Sequence, residues 1–87
     1  MNKEIFNQLQ ELLATATGHS NAEILPISHL EADLGINLEE DFPRLLAMIN
    51  RDFEIDLDME AVLDELDEVD YTVEQLAKLV EEEVELG

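Results

Sequence analysis

Ile5, Phe6, Leu9, Leu12, Leu13 and Ala16 recur at steps of three and four residues, and the same step returns three more times along the chain. Phe42, Leu45, Leu46, Ile49 and Phe53 form the second set; Met59, Val62, Leu63 and Leu66 the third; Val73, Leu76, Leu79, Val80 and Val84 the fourth. Apolar residues with this period lie on one helix face, and that face must be covered by another of its kind. The chain is thereby constrained to pack helices on helices, because strand alternation and hairpin turns of the Asn-Gly type are absent. The expected fold is all-α, a four-helix bundle formed by a single domain over residues 1–87, with three longer helices and a shorter or irregular third.

Local signals mark the helix ends. Asn2 is suited to cap the first helix and Gly18 to end it. Asp58 is placed to cap the third, and Thr72 with Gln75 reads as a capping box for the fourth. The start of the second has two readings. Asn37 with Glu40 resembles a capping pair, but Pro43 would then lie in the second turn, where it removes a backbone bond and crowds the preceding carbonyl. A start at Asp41 puts Phe42 and Pro43 in the first turn, where proline is tolerated. Either way the mouth of this helix should be irregular, and a regular helix running from Leu38 through Phe53 would contradict that. Between His19 and about Asn37 the chain reads as a long ordered loop with one helical turn near Leu30. Its apolar residues Ile24, Leu25, Ile27, Leu30, Leu34 and Ile36 are expected to anchor it in the core. No internal repeat stands out.

Charge excludes some functions. The formal net charge is −19, and 20 of the 23 acids lie from Glu31 onward against Arg44, Arg51 and Lys78. Nucleic acid is repelled by such a surface, whereas basic patches on proteins are attracted to it with strong salt dependence. Disorder is disfavoured, since 46% of the residues are hydrophobic and fall at helical spacing. No apolar run approaches the roughly 20 residues that span a bilayer, and the first residues lack the pattern of a signal peptide, so a soluble, cytoplasmic monomer is expected. Without cysteine there is no disulfide, thiolate metal site or cysteine nucleophile.

Other candidate sites are weak. Asp56, Asp58, Glu60 and Asp67 have part of the spacing of a calcium loop, but Ala61 stands where that loop needs glycine. His19 and His29 each neighbour a serine, Ser20 and Ser28, yet no glycine-rich elbow accompanies them, and no enzyme activity is expected. Met48 and Met59 read as core filler, and Tyr71 as a residue at a helix junction with its hydroxyl exposed.

Asp33-Leu34-Gly35, the loop from Ile24 that leads to it, the apolar positions Leu45, Leu46, Ile49 and Phe53, the exit Ile55-Asp56-Leu57, and Thr72-Val73 with Leu76 and Leu79 follow one another in an order and spacing that resemble the acyl carrier protein family across nearly the whole chain. The resemblance implies a bundle of the acyl-carrier type and a role in fatty-acid or polyketide synthesis. It further implies docking to basic surfaces of biosynthetic enzymes through an acidic second helix, with Glu39, Glu40, Asp41, Asp52 and Glu54 as the docking acids. In the family a serine carries a 4′-phosphopantetheine arm. The matching positions here are Asn37, Leu38 and Glu39. Leu38 takes the serine place counting from Asp33, and Glu39 counting back from Phe53, because this chain has an extra residue between the two landmarks. From His29 to Asp70 there is no serine, threonine, tyrosine or cysteine. Leucine has no group to phosphorylate, and an acyl phosphate on Glu39 would hydrolyse, with Glu40 and Asp41 repelling the incoming phosphate. No prosthetic group is therefore expected. The segment from Leu57 to Thr72 is also longer than the family pattern. The alternative to a docking homologue with a variant attachment site is an acidic interaction or regulatory module unrelated to acyl chemistry.

Overall fold

A computed structural model describes residues 2–86 and shows four α-helices with no strand among them. The first, α1 (Lys3–Thr17), begins where Asn2 Oδ1 accepts from the N–H of Glu4 at 2.9 Å and of Ile5 at 3.3 Å. It ends at Gly18, whose φ of 77° lets its N–H turn back to the Ala14 carbonyl at 2.9 Å. A 3₁₀ turn over Asn21–Glu23 follows. Then come α2 (Phe42–Phe53), α3 (Met59–Glu68) and α4 (Val73–Leu86). The third is the shortest of the four, as its pattern implied. α1 lies against both α2 and α4, and α3 packs on α4.

The boundaries of α2 settle the two readings of its start. The helix begins at Phe42 with Pro43 in its first turn, and residues 38–41 form a separate turn ahead of it. Proline needs no N–H partner at that position, so breaking the chain there costs the helix nothing. At its other end Glu54 adopts φ 54°, a left-handed conformation more usual for glycine, and three bonds brace the exit. The Ile55 N–H reaches the Asn50 carbonyl at 3.0 Å, and the Asn50 side chain bonds Leu57 in both directions at 2.9 and 3.1 Å.

The long loop is ordered by α4. Helix starts expose N–H groups with no partner of their own. Here Val73 N–H donates to the Ser28 carbonyl at 3.0 Å, Glu74 N–H to the Pro26 carbonyl at 2.9 Å, and Gln75 N–H to Thr72 Oγ1 at 3.3 Å. Leu30 N–H adds a bond to the Tyr71 carbonyl at 2.8 Å, beside an isolated antiparallel bridge between His29 and Thr72. The loop thus caps α4 with its carbonyls, and in return α4 fixes the loop.

Nineteen hydrophobic residues make up the buried core among the described residues. Phe42, Leu9, Leu13, Ile49, Leu66 and Leu76 are fully buried, and the loop contributes Ile24, Leu30, Leu34 and Ile36. Three expectations need correction. Leu25 and Ile27 point outward at 49% and 75% exposure, because the chain turns over Pro26, with Ser28 N–H on the Leu25 carbonyl and Leu25 N–H on Ser28 Oγ, both at 3.0 Å. In α1 it is Ala14, not Ala16, that enters the core; Ala16 lines an open cleft beside Leu45 and Met48 of α2. Met48 and Met59 are only half-buried and lie at the edge of the core.

Candidate functional site

The segment that carries the family-like motif is built from two successive turns of the same construction. The sequences are His29-Leu30-Glu31-Ala32-Asp33-Leu34 and Asn37-Leu38-Glu39-Glu40-Asp41-Phe42. In each, the N–H of the first residue donates to the carboxylate of the aspartate four residues on: His29 to Asp33 Oδ2 at 2.7 Å, Asn37 to Asp41 Oδ2 at 3.0 Å. The side chain of the first residue accepts from the N–H groups two and three residues ahead. His29 Nδ1 takes those of Glu31 and Ala32 at 3.1 and 3.0 Å, and Asn37 Oδ1 takes those of Glu39 and Glu40 at 2.8 and 2.9 Å. The carbonyl of the first residue then accepts from Asp33 and Leu34 at 3.0 and 3.1 Å, or from Asp41 and Phe42 at 2.8 and 3.0 Å.

The chain leaves the two turns differently. Leu34 and Phe42 are both buried, but Gly35 follows the first with φ 74° and ends it, whereas Pro43 follows the second and starts α2. The repeat was missed in the sequence because its two heads, histidine and asparagine, are chemically unlike until both are seen as acceptors. The signal that could have found it is Leu-Glu-x-Asp followed by a large apolar residue, present twice at a spacing of eight. The cap expected from Asn37 and Glu40 also forms in altered shape, since the carboxylate that reaches back belongs to Asp41.

The same geometry limits the chemistry open to residues 37–39. Leu38 is half-buried against the core, Asn37 spends its amide oxygen on the cap, and Glu39 is exposed with no hydroxyl beside it. The N–H groups of Glu39 and Glu40 are taken by Asn37 and so are not open to an anion, and Glu39, Glu40 and Asp41 surround them with negative charge. Asn37→Ala should therefore lower stability by about 1 kcal/mol, the usual worth of such a cap, while Asn37→Asp should leave it nearly unchanged. Urea unfolding of the three proteins measures the difference.

The docking acids are placed differently from expectation. Glu39, Glu40 and Asp41 lie in the turn before α2, Asp52 in its last turn and Glu54 just beyond, so they flank the helix at both ends. Within α2 the charged residues are Arg44, Arg51 and Asp52. The second helix is therefore not itself acidic: Glu39, Glu40 and Asp41 fall before the break imposed by Pro43, and Asp52 is the one acid within it. Arg51 Nε is 3.7 Å from Asp52 Oδ1, both exposed. An open cleft of about 290 Å³ lies beside the turns, walled by Leu34, Gly35, Ile36, Arg44, Leu45 and Met48.

The remaining candidates come apart. Asp58 is the cap of α3, with Oδ2 accepting from Ala61 N–H at 3.3 Å, and Asp67 lies on α3, where it accepts from the Tyr71 hydroxyl at 3.2 Å. Among the described residues no cluster of three or more acids or histidines is arranged to hold a metal ion. The Tyr71 hydroxyl is exposed, as expected, and donates that bond, and its phenol is pushed above the usual range first by desolvation and then by the charge of Asp67. His19 Nδ1 and Ser20 Oγ both bond to Glu23, at 3.2 and 3.0 Å. The Glu23 carboxyl is held below its ordinary value, chiefly by the Ser20 N–H, then by the Ser20 hydroxyl and His19. Ser28 Oγ is turned to Leu25, so neither serine is bonded to an imidazole. No helix of the described residues is long and apolar enough to cross a membrane. No protein-family model matches this chain, and comparison with curated proteins finds no match.

Proposed function

We propose that this chain is a docking module on a carrier-like scaffold: a homologue of the acyl carrier proteins of fatty-acid or polyketide synthesis that meets basic enzyme surfaces and carries no prosthetic arm. The observation that carries this reading is the turn at residues 37–41. It occupies the place of the family's attachment motif, but Leu38 supplies no nucleophile and the local N–H groups are satisfied internally. The acids flanking α2, Glu39, Glu40 and Asp41 on one side with Asp52 and Glu54 on the other, are the contacts for a basic partner. The −19 charge steers the encounter at low salt.

A phosphopantetheinyl transferase of broad specificity with coenzyme A tests the scaffold and the site separately, with intact mass as the readout. The native chain should gain no mass, and Asn37→Ala/Leu38→Ser, which restores a hydroxyl and frees the Glu39 and Glu40 N–H groups, should gain one arm. An arm on the native chain refutes the argument about its site. An Asn37→Ala/Leu38→Ser protein that folds but stays unmodified removes the support for a carrier-type scaffold.

A second reading, an acidic interaction module unrelated to acyl chemistry, is favoured by one observation: Arg44 and Arg51 stand exposed on the helix that the first reading expects to be acidic. Binding to purified synthase components, lost on Glu39→Lys/Glu40→Lys, supports the first reading. No binding to any of them supports the second.

A further inference from the structure

The heads of the two tandem turns present different acceptor atoms. The acceptor heading the second is an amide oxygen, which accepts at any pH, whereas the acceptor heading the first is His29 Nδ1, which accepts only while it carries no proton. With the N–H groups of Glu31 and Ala32 aimed at Nδ1 at 3.1 and 3.0 Å, the neutral ring holds its proton on Nε2. That nitrogen faces Asp70 Oδ1 at 3.9 Å, across the loop from α4, and the ring stands 6.1 Å from the ring of Tyr71. We propose that His29 is a pH-sensitive latch. Neutral, it closes the turn over residues 29–34 through Nδ1; protonated, it releases the Glu31 and Ala32 N–H groups and becomes a cation held toward Asp70.

The charged and titratable groups that face the ring are Glu31 and Asp33 on its own turn and Asp70 and Tyr71 on the connection between α3 and α4, with Asp64 and Asp67 of α3 beyond Tyr71. A proton on Nδ1 would set an N–H against the N–H groups of Glu31 and Ala32, while Nε2 stays toward Asp70. Protonation therefore exchanges one set of partners for another and does not unfold the chain. The backbone bonds from Leu30 to Tyr71 and from Val73 to Ser28 stay in place. What loosens is the turn that delivers Leu34 to the core and forms one wall of the cleft beside α2. The latch stands apart from the docking function and holds whichever partner the protein has.

Nuclear magnetic resonance of histidine-labelled protein between about pH 8 and pH 5, the range in which imidazole changes charge, tests it. The expected result at the upper end is a ring protonated on Nε2 with Nδ1 bare. On acidification the amide signals of Glu31 and Ala32 should move with the imidazole, and their protection against exchange should fall about tenfold, the worth of one net hydrogen bond. Those of Glu39 and Glu40 should stay constant. His29→Asn, which copies the head of the second turn, should hold Glu31 and Ala32 protected across the range, and Asn37→His should transfer the titration to Glu39 and Glu40. A ring protonated on Nδ1 at the upper end, or Glu31 and Ala32 amides unmoved while the ring titrates, overturns the proposal. So does a His29→Asn protein in which those amides titrate as in the native chain, since the cause would then be a carboxylate.

Discussion

Phe42→Ala is expected to cost about 3–5 kcal/mol, the usual range for removing a fully buried phenylalanine. A domain of 87 residues has a total stability of roughly 4–13 kcal/mol at about 0.05–0.15 kcal/mol per residue, so this one change removes a large share of it. The magnitude follows from position. Phe42 is 0% exposed, is the largest fully buried side chain, and sits where the second turn hands the chain to α2, so the cavity opens where turn and helix both lean on the ring. Thermal unfolding followed by circular dichroism should show a midpoint lowered by more than about 10 °C, since each kcal/mol moves a domain of this size by about 4–8 °C. Ile27→Ser serves as the contrast. It is 75% exposed and should move the midpoint little, as surface changes fall within about 0.5 kcal/mol. Equal effects of the two would mean that the core is not where the structure puts it.

Salt should stabilise the fold by roughly 2 kcal/mol, on the order of 10 °C in midpoint, between about 0.01 M and 1 M sodium chloride. The molecule measures 30 × 26 × 22 Å, and the screening length at about 0.01 M is about 30 Å, so every acid repels every other across the whole body. At about 1 M that length is about 3 Å, and only adjacent charges interact. The 23 acids are opposed by four lysines and arginines, so the repulsion has little internal relief. At matched ionic strength calcium chloride should add no more than its general screening, because the acids of Asp56, Asp58, Glu60 and Asp67 are dispersed between a helix cap and a helix body. A midpoint flat in salt would contradict the repulsion argument, and a calcium effect far above the sodium one would reveal a site that the geometry does not contain.

Much of the architecture was legible in the order of the residues because it rests on local chemistry. Asn2, Asp58 and Thr72 accept the N–H groups of helices that start one residue later, and such caps act within three residues of themselves. Pro43 narrowed the start of α2 to two readings because a missing N–H is a property of one residue, and the fold took the later one. The absence of a nucleophile near Leu38 is equally a matter of residue type.

Everything that depends on two distant segments meeting had to wait for the fold. The loop looked irregular because its order comes from outside it: Pro26 and Ser28 point their carbonyls at the start of α4, more than forty residues away along the chain. Leu25 and Ile27 could not be told from Ile24 and Leu30 by hydropathy, since the turn over Pro26 sets which of them face in. The likeness of the His29 and Asn37 turns was hidden for a related reason. A sequence records side chains, whereas the property the two heads share is a lone pair placed over the next two N–H groups, and that emerges only once the backbone has closed around it. Residue chemistry alone thus determined that helices form, where three of them are capped and that residues 29–70 hold no hydroxyl or thiol side chain. Tertiary contact decided how the loop is held, which acids flank α2 and what faces the imidazole of His29, because each of these depends on groups that only folding brings within reach.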